Sequence, residues 1–204
     1  MIDLKVKVDD EVKEFTLPES WDDVNIGDFC NLFAFERQGL NEIELVVESI
    51  HQLIGIERDL IYNMEMKDFQ TIAAKLDFLT TEMKPKEVVD YVELDGEKYY
   101  IKKDFNSLTM GEVISIETIF SEADNNLFKV MDKLLCVFLR KKKDNGKLEN
   151  FKGEFMQRQE LFRKAPVTSV YNVFNFFLNG VLILSGSTKA SSVSKKSHQR
   201  RKKE

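Results

Sequence analysis

Phe15-Thr-Leu-Pro-Glu-Ser-Trp-Asp-Asp-Val-Asn-Ile-Gly-Asp-Phe29 has an echo eighty-four positions later, Tyr99-Tyr-Ile-Lys-Lys-Asp-Phe-Asn-Ser-Leu-Thr-Met-Gly-Glu-Val113. Trp21 matches Phe105, Ile26 matches Met110, Gly27 matches Gly111 and Asp28 matches Glu112. The register continues through Asn41/Asn125, Val46/Val130, Ile50/Leu134, Leu53/Val137 and Ile54/Phe138. Upstream the offset becomes 86, with Val6/Val92, Val8/Leu94, Asp9/Asp95 and Glu11/Glu97. Downstream it becomes 101, with Phe69/Val170, Ile72/Val173 and Leu76/Phe177. Self-similarity of this kind predicts an internal repeat. The last change of offset places an insertion in the second copy within Lys141–Gln159, whose Lys141-Lys-Lys-Asp-Asn-Gly-Lys147 run has the composition of a solvated loop.

Each copy opens with apolar residues at period two. Leu4, Val6 and Val8 precede Asp9-Asp10 and then Val12, Phe15 and Leu17; Val92 and Leu94 precede Asp95-Gly96 and then Tyr99 and Ile101. Asp-Gly between such runs is a hairpin signal, because the tight turn needs positive φ. The period then changes. Asp28 to Phe35 and Glu112 to Phe120 read as short helices. Ile43, Val46, Val47, Ile50, Leu53 and Ile54 are spaced as one face of a longer helix, as are Leu127, Val130, Met131, Leu134, Val137 and Phe138. A final helix is expected from a cap at Asp68 or Ser169. Trp21 and Phe105 are expected to close sheet onto helices, and Gly27 and Gly111 to sit where a helix begins. The fold class is therefore α+β: two tandem copies of a β-hairpin followed by a helical bundle. Copy 1 spans 1–84, copy 2 spans 85–184 with its lysine-rich insertion, and they join near Pro85.

Residues 185–204 depart from the rest. Net charge is −5 over 204 residues, yet Lys189 to Glu204 contain seven Lys and Arg against one Glu, leaving the remainder at −11. With Ser185, Gly186, Ser187, Ser191, Ser192 and Ser194, this stretch reads as a disordered basic tail. Lys195, Lys196, Arg200, Arg201, Lys202 and Lys203 are its candidate polyanion-binding residues, suited to non-specific DNA.

Composition narrows the chemistry. Apolar residues make up 43% and charged residues 32%, with sixteen Phe to fill a core. Cys30 and Cys136 alone supply no disulfide framework, and with His51 and His198 they form no metal-ligand spacing. The nine Gly form no phosphate-binding loop. Asp22, Asp23 and Asp28 cluster at the start of a helix, where its dipole favours acids. The expectation is a protein with no catalytic residues, no metal and no cofactor. Met1-Ile-Asp-Leu-Lys5 carries no secretory signature. The apolar run Val167 to Leu184 is interrupted by Asn172, Asn175 and Asn179 and reads as a buried helix, so no membrane partner is expected.

Leu17-Pro-Glu-Ser-Trp-Asp-Asp-Val-Asn-Ile-Gly-Asp-Phe29 resembles the opening of small tail-assembly and virion-associated proteins of tailed phages, particularly those of Bacteroidetes hosts including the crAss-like group. Phe105-Asn-Ser-Leu-Thr-Met-Gly-Glu112, Phe162-Arg-Lys-Ala-Pro166 and Asn175-Phe-Phe-Leu178 are similar to the same proteins. The resemblance covers most of the body and not the basic tail. It implies a non-enzymatic virion structural, cargo or assembly protein that contacts portal, tail or capsid components, in the host cytoplasm during assembly and in the virion. The alternatives are a tail assembly chaperone that leaves the particle, and a nucleic-acid-binding accessory protein acting through the tail. Oligomeric state is not readable from the chain.

Overall fold

The computed structural model describes residues 1–8, 11–35, 39–83, 89–124, 126–152 and 157–180. The tail, its six candidate residues and the junction at Pro85 lie outside them. Helix and strand are mixed, as the α+β reading requires.

A first hairpin pairs β1 (Ile2–Val8) with β2 (Glu11–Leu17), in a register that sets Ile2 opposite Leu17 and Leu4 opposite Phe15. A 3-10 turn at Trp21–Asp23 leads into α1 (Ile26–Ala34), followed by α2 (Glu42–Ile54), α3 (Arg58–Tyr62) and α4 (Met66–Lys75). The second hairpin pairs β3 (Tyr91–Leu94) with β4 (Glu97–Ile101), and β5 (Leu139–Arg140) extends it to three antiparallel strands. Its turn uses Asp95 and Gly96 at φ of 50° and 75°, the left-handed pair that a two-residue connection demands. A 3-10 turn at Phe105–Ser107 leads into α5 (Met110–Glu122); after another at Leu127–Val130 come α6 (Met131–Phe138) and α7 (Gln159–Arg163). Residues 167–180 form the last helix among the described residues, α8.

Local chemistry accounts for several boundaries. Asn25 accepts from the Asp28 N–H to cap α1, while Asn41 with Glu44 and Thr109 with Glu112 form capping boxes on α2 and α5. Gly55, at φ 77°, ends α2 in a left-handed cap. Asp68 and Ser169, expected as caps, instead lie inside first turns. α4 begins at Met66 with backbone bonds to the Glu65 carbonyl, and the Ser169 hydroxyl donates back to Pro166. Gly27 and Gly111 are each the second residue of a helix, without positive φ. Small size is what matters at Gly27, where a Cβ would lie 3.2 Å from Arg163 Nε.

Two buried clusters result. The smaller joins Leu17 to Val47 and Ile50 of α2, Ile56, Ile61 of α3 and Ile72 of α4. The larger draws on both sequence halves: Ile26 and Phe29 of α1 pack with the second hairpin, α5, α6, Phe162 of α7 and Phe174 and Phe177 of α8. The periodicity of Leu127–Phe138 predicts one continuous helix with one apolar face. Instead a 3-10 turn interrupts it, and α6 is covered on nearly every side, with Leu134 to Phe138 all buried. Phe138 stacks on Phe177 at a centroid distance of 3.9 Å, and Phe105 meets both rings edge-on. Trp21 packs edge-on against Phe29 and Phe78.

Removing a fully buried ring leaves a cavity that close packing cannot refill. Phe138→Ala is expected to lower unfolding free energy by about 3–5 kcal/mol, read from urea denaturation midpoints.

Candidate functional site

Three buried charged groups sit beside α6. Glu112 is 1% exposed, Asp132 1% and Arg140 2%. Isolated charges there would be costly, so each is paired. Lys102 Nζ donates to both Glu112 oxygens at 2.9 and 2.8 Å, and the Thr109 N–H donates at 2.7 Å. Arg140 donates to the Cys136 carbonyl at 2.6 Å and reaches Glu112 at 3.4 Å. Asp132 accepts from Arg163 at 2.6 Å and Gln159 at 2.8 Å, while Arg163 also donates to Asn31 at 3.2 Å. The last group ties α1, α6 and α7 together.

Burial alone would push the Glu112 carboxyl up, but hydrogen bonds from Lys102 and Thr109 outweigh it and hold the group below the usual glutamate range. Burial lowers the Arg140 guanidinium from its ordinary value, opposed by Glu112 and Glu149. Burial pushes both thiols, Cys30 and Cys136, up to about 12, which leaves them as inert core groups.

The lysine-rich insertion departs from a purely solvated loop. Lys142–Lys147 is exposed, but Glu149 turns inward to a bidentate pair with Arg158 and accepts from the Lys141 N–H at 2.9 Å. Two open cavities of about 440 and 920 Å³ flank Phe151, over which Arg140 stacks at 5.0 Å. Their arginines are committed to carboxylates of the same chain.

A different surface lies where the two halves meet. The Ile26 N–H donates to the Ala165 carbonyl at 2.9 Å, the Val167 N–H donates to Val24 at 2.8 Å, and Asn25 bridges Pro166. Segment 22–27 is thereby laid against segment 163–168. Along this seam run three adjoining cavities of about 340, 400 and 280 Å³, each lined by Asp22. Pro166 is shared by the first two, and Thr168 and Asn172 by the last two, so they form one groove. Trp21, Val24, Met83, Tyr171 and Val173 supply apolar lining; Asp22, Asp23, Asp28 and Glu82 supply negative charge. The cations there are Lys164 and the α-amino group of Met1, which reaches Asp23 at 3.2 Å. Thr168 donates to Asp22 at 2.6 Å, and Trp21 Nε1 donates to the Thr81 carbonyl at 3.0 Å, fixing both walls. Burial raises the Asp28 carboxyl from its ordinary value, against the Asn25 bond and Arg163, so its charge is poorly solvated.

Of the residues that define the sequence echo, Trp21 lines this groove and Phe105 lies under α8, where a methyl at Gly180 would collide with its ring. Among the described residues no group of three His, Cys, Asp or Glu could hold a metal ion, and no helix is long and apolar enough to cross a membrane. His51 is half-buried, with Nδ1 2.9 Å from the Ile56 carbonyl. The buried Asp132–Arg163 tie escapes sequence reading, since 31 residues separate its partners. No family model, curated protein or solved structure matches the chain.

Breaking the Asp132 pair strands Arg163 and Gln159 beside the core. Asp132→Ala is expected to cost about 3 kcal/mol in thermal or denaturant unfolding. Because the Glu112 pKa is lower folded than unfolded, its contribution is complete above the ordinary glutamate range near 4.3 and is lost as pH falls through the depressed value. The stability gap between the parent chain and Glu112→Gln should therefore be widest at neutral pH and close in acid, measured by denaturation from pH 7 to pH 2.

Proposed function

We propose that the chain is a non-enzymatic tailed-phage protein, a virion structural, cargo or assembly component that works by protein–protein contact near the portal or tail. The observation that carries this reading is the groove. Two of the four phrases that resemble tail-assembly and virion-associated proteins, 17–29 and 162–166, are distant in sequence yet contribute residues to the same seam. An open apolar channel with a charged rim suits an extended or helical segment of another protein. The buried ionisable groups described above are committed to internal pairs, which suits a scaffold.

The reading includes tandem duplication, with copies at 1–84 and 85–184. Equivalent elements begin at matching offsets: Trp21 and Phe105 open 3-10 turns, Ile26 and Met110 open helices, and Arg58 and Gln159 open two more. Those offsets, 84 and then 101, are the ones the sequence echo requires. α1 packs into the larger cluster with second-half elements, so the copies would have to share a core. The basic tail at Lys195, Lys196, Arg200, Arg201, Lys202 and Lys203 supports the second reading, contact with packaged DNA through counterion release.

Quantitative mass spectrometry of purified particles tests the proposal. Copies in a fixed ratio to portal or tail proteins are expected; zero copies, with the chain found on tail proteins in infected cells, would indicate the chaperone. DNA affinity that drops steeply between 50 and 200 mM salt and vanishes on deleting Lys195–Lys203 would favour the accessory reading instead.

A further inference from the structure

We propose that the acidic groove at the seam is occupied by the chain's own basic tail when no partner is bound. This inference rests on the groove being a docking surface and adds the device that regulates it. The groove carries four carboxylates; Asp23 is paired with the terminal amine and Asp28 with Asn25, which leaves Asp22 and Glu82 as its main anionic contacts, and Asp22 reaches all three of its compartments. The tail carries seven cations between Lys189 and Lys203. Val193 lies among them, a small apolar residue for a lining that includes Trp21 and Tyr171.

Reach is sufficient. α8 begins beside the groove at residue 167 and is described to residue 180, which places Gly180 about 20 Å away at 1.5 Å per residue. The fifteen residues from Gly180 to Lys195 span up to about 50 Å when extended. Exposed ion pairs are individually weak, so a free basic peptide fills such a groove poorly. Tethering changes this: a linker long enough to span the gap imposes an effective concentration on the order of millimolar. A partner that enters the groove and a polyanion that takes the tail each compete with this contact.

The protein is built for a direct test. Trp21 is the sole tryptophan and lines the groove. Cys30 and Cys136 are buried, with thiol pKa values of about 12, so a cysteine introduced by Ser197→Cys can be labelled selectively with a dansyl acceptor. In the full-length labelled chain, energy transfer from Trp21 should be high at about 0.01 M salt and fall at least about twofold at 1 M, where charges more than about 3 Å apart are screened. Asp22→Asn with Glu82→Gln should reduce the low-salt signal to the high-salt level. Glu93→Gln with Glu117→Gln, exposed acids outside the groove, should leave it unchanged. Transfer that ignores both salt and the groove substitutions would overturn the proposal, as would transfer that falls on dilution, which would mean a tail supplied by a second copy. Particle mass spectrometry tests the docking function separately: stoichiometric copies with no transfer would sink the tail proposal alone.

Discussion

α6 is enclosed by α1, α5, α7, α8 and the second hairpin, and a segment covered on so many sides leaves its polar groups no water. Asp132 and the adjoining Arg140 must therefore find partners inside the protein, and the positions of those partners organise what surrounds them. Arg163 on α7 answers Asp132 and extends to Asn31 on α1; Glu112 on α5 answers Arg140 while capping its own helix and holding Lys102. Packing and charge satisfaction are one constraint here. The helices converge on α6 because its apolar side chains need cover, and they hold a fixed rotation because Asp132 on α6 and Arg140 just beyond it on β5 need counterparts.

That constraint also makes the groove. Holding α7 against α1 through Arg163 brings the segment after α7 alongside the segment before α1, where two backbone hydrogen bonds, centred on the Asn25–Pro166 bridge, zip residues 24–26 to 165–167. The 3-10 turn at Trp21–Asp23 and the first turns of α8 become the facing walls. Acidic side chains that look like ordinary helix-start residues in the linear chain converge on one open channel. Its floor is apolar because the large cluster reaches the surface there through Trp21 and Tyr171. The body is strongly acidic and the last sixteen residues strongly basic, so the groove and tail are the two ends of one electrostatic asymmetry.

Much of the local structure was legible. Period-two apolar runs marked both hairpins and Asp95-Gly96 marked a turn, because these signals act over two to four residues. The Leu127–Phe138 segment departs from its pattern in character. Its i, i+3, i+4 pattern described one apolar face, and Leu135 and Cys136 on the other faces carry no mark that they too are covered. Asp68 and Ser169 had the right chemistry for caps, but the Glu65 and Pro166 carbonyls, each three residues upstream, accept from the first-turn N–H groups instead. The insertion read as solvent-exposed from its lysines, although Glu149 turns back onto Arg158 and Lys141.

The amino-acid order alone determined where chain periodicity changes, which residues turn or cap, the echo at offsets of 84 and 101, and the charge imbalance between body and tail. All of these depend on neighbours within a few positions or on simple counting. The tertiary structure decided that α6 is central, that Asp132 belongs to Arg163, and that segments 17–29 and 162–168 share a groove. Those outcomes depend on residues brought together across tens to more than a hundred positions, where burial and the need to pair buried charge select the contact.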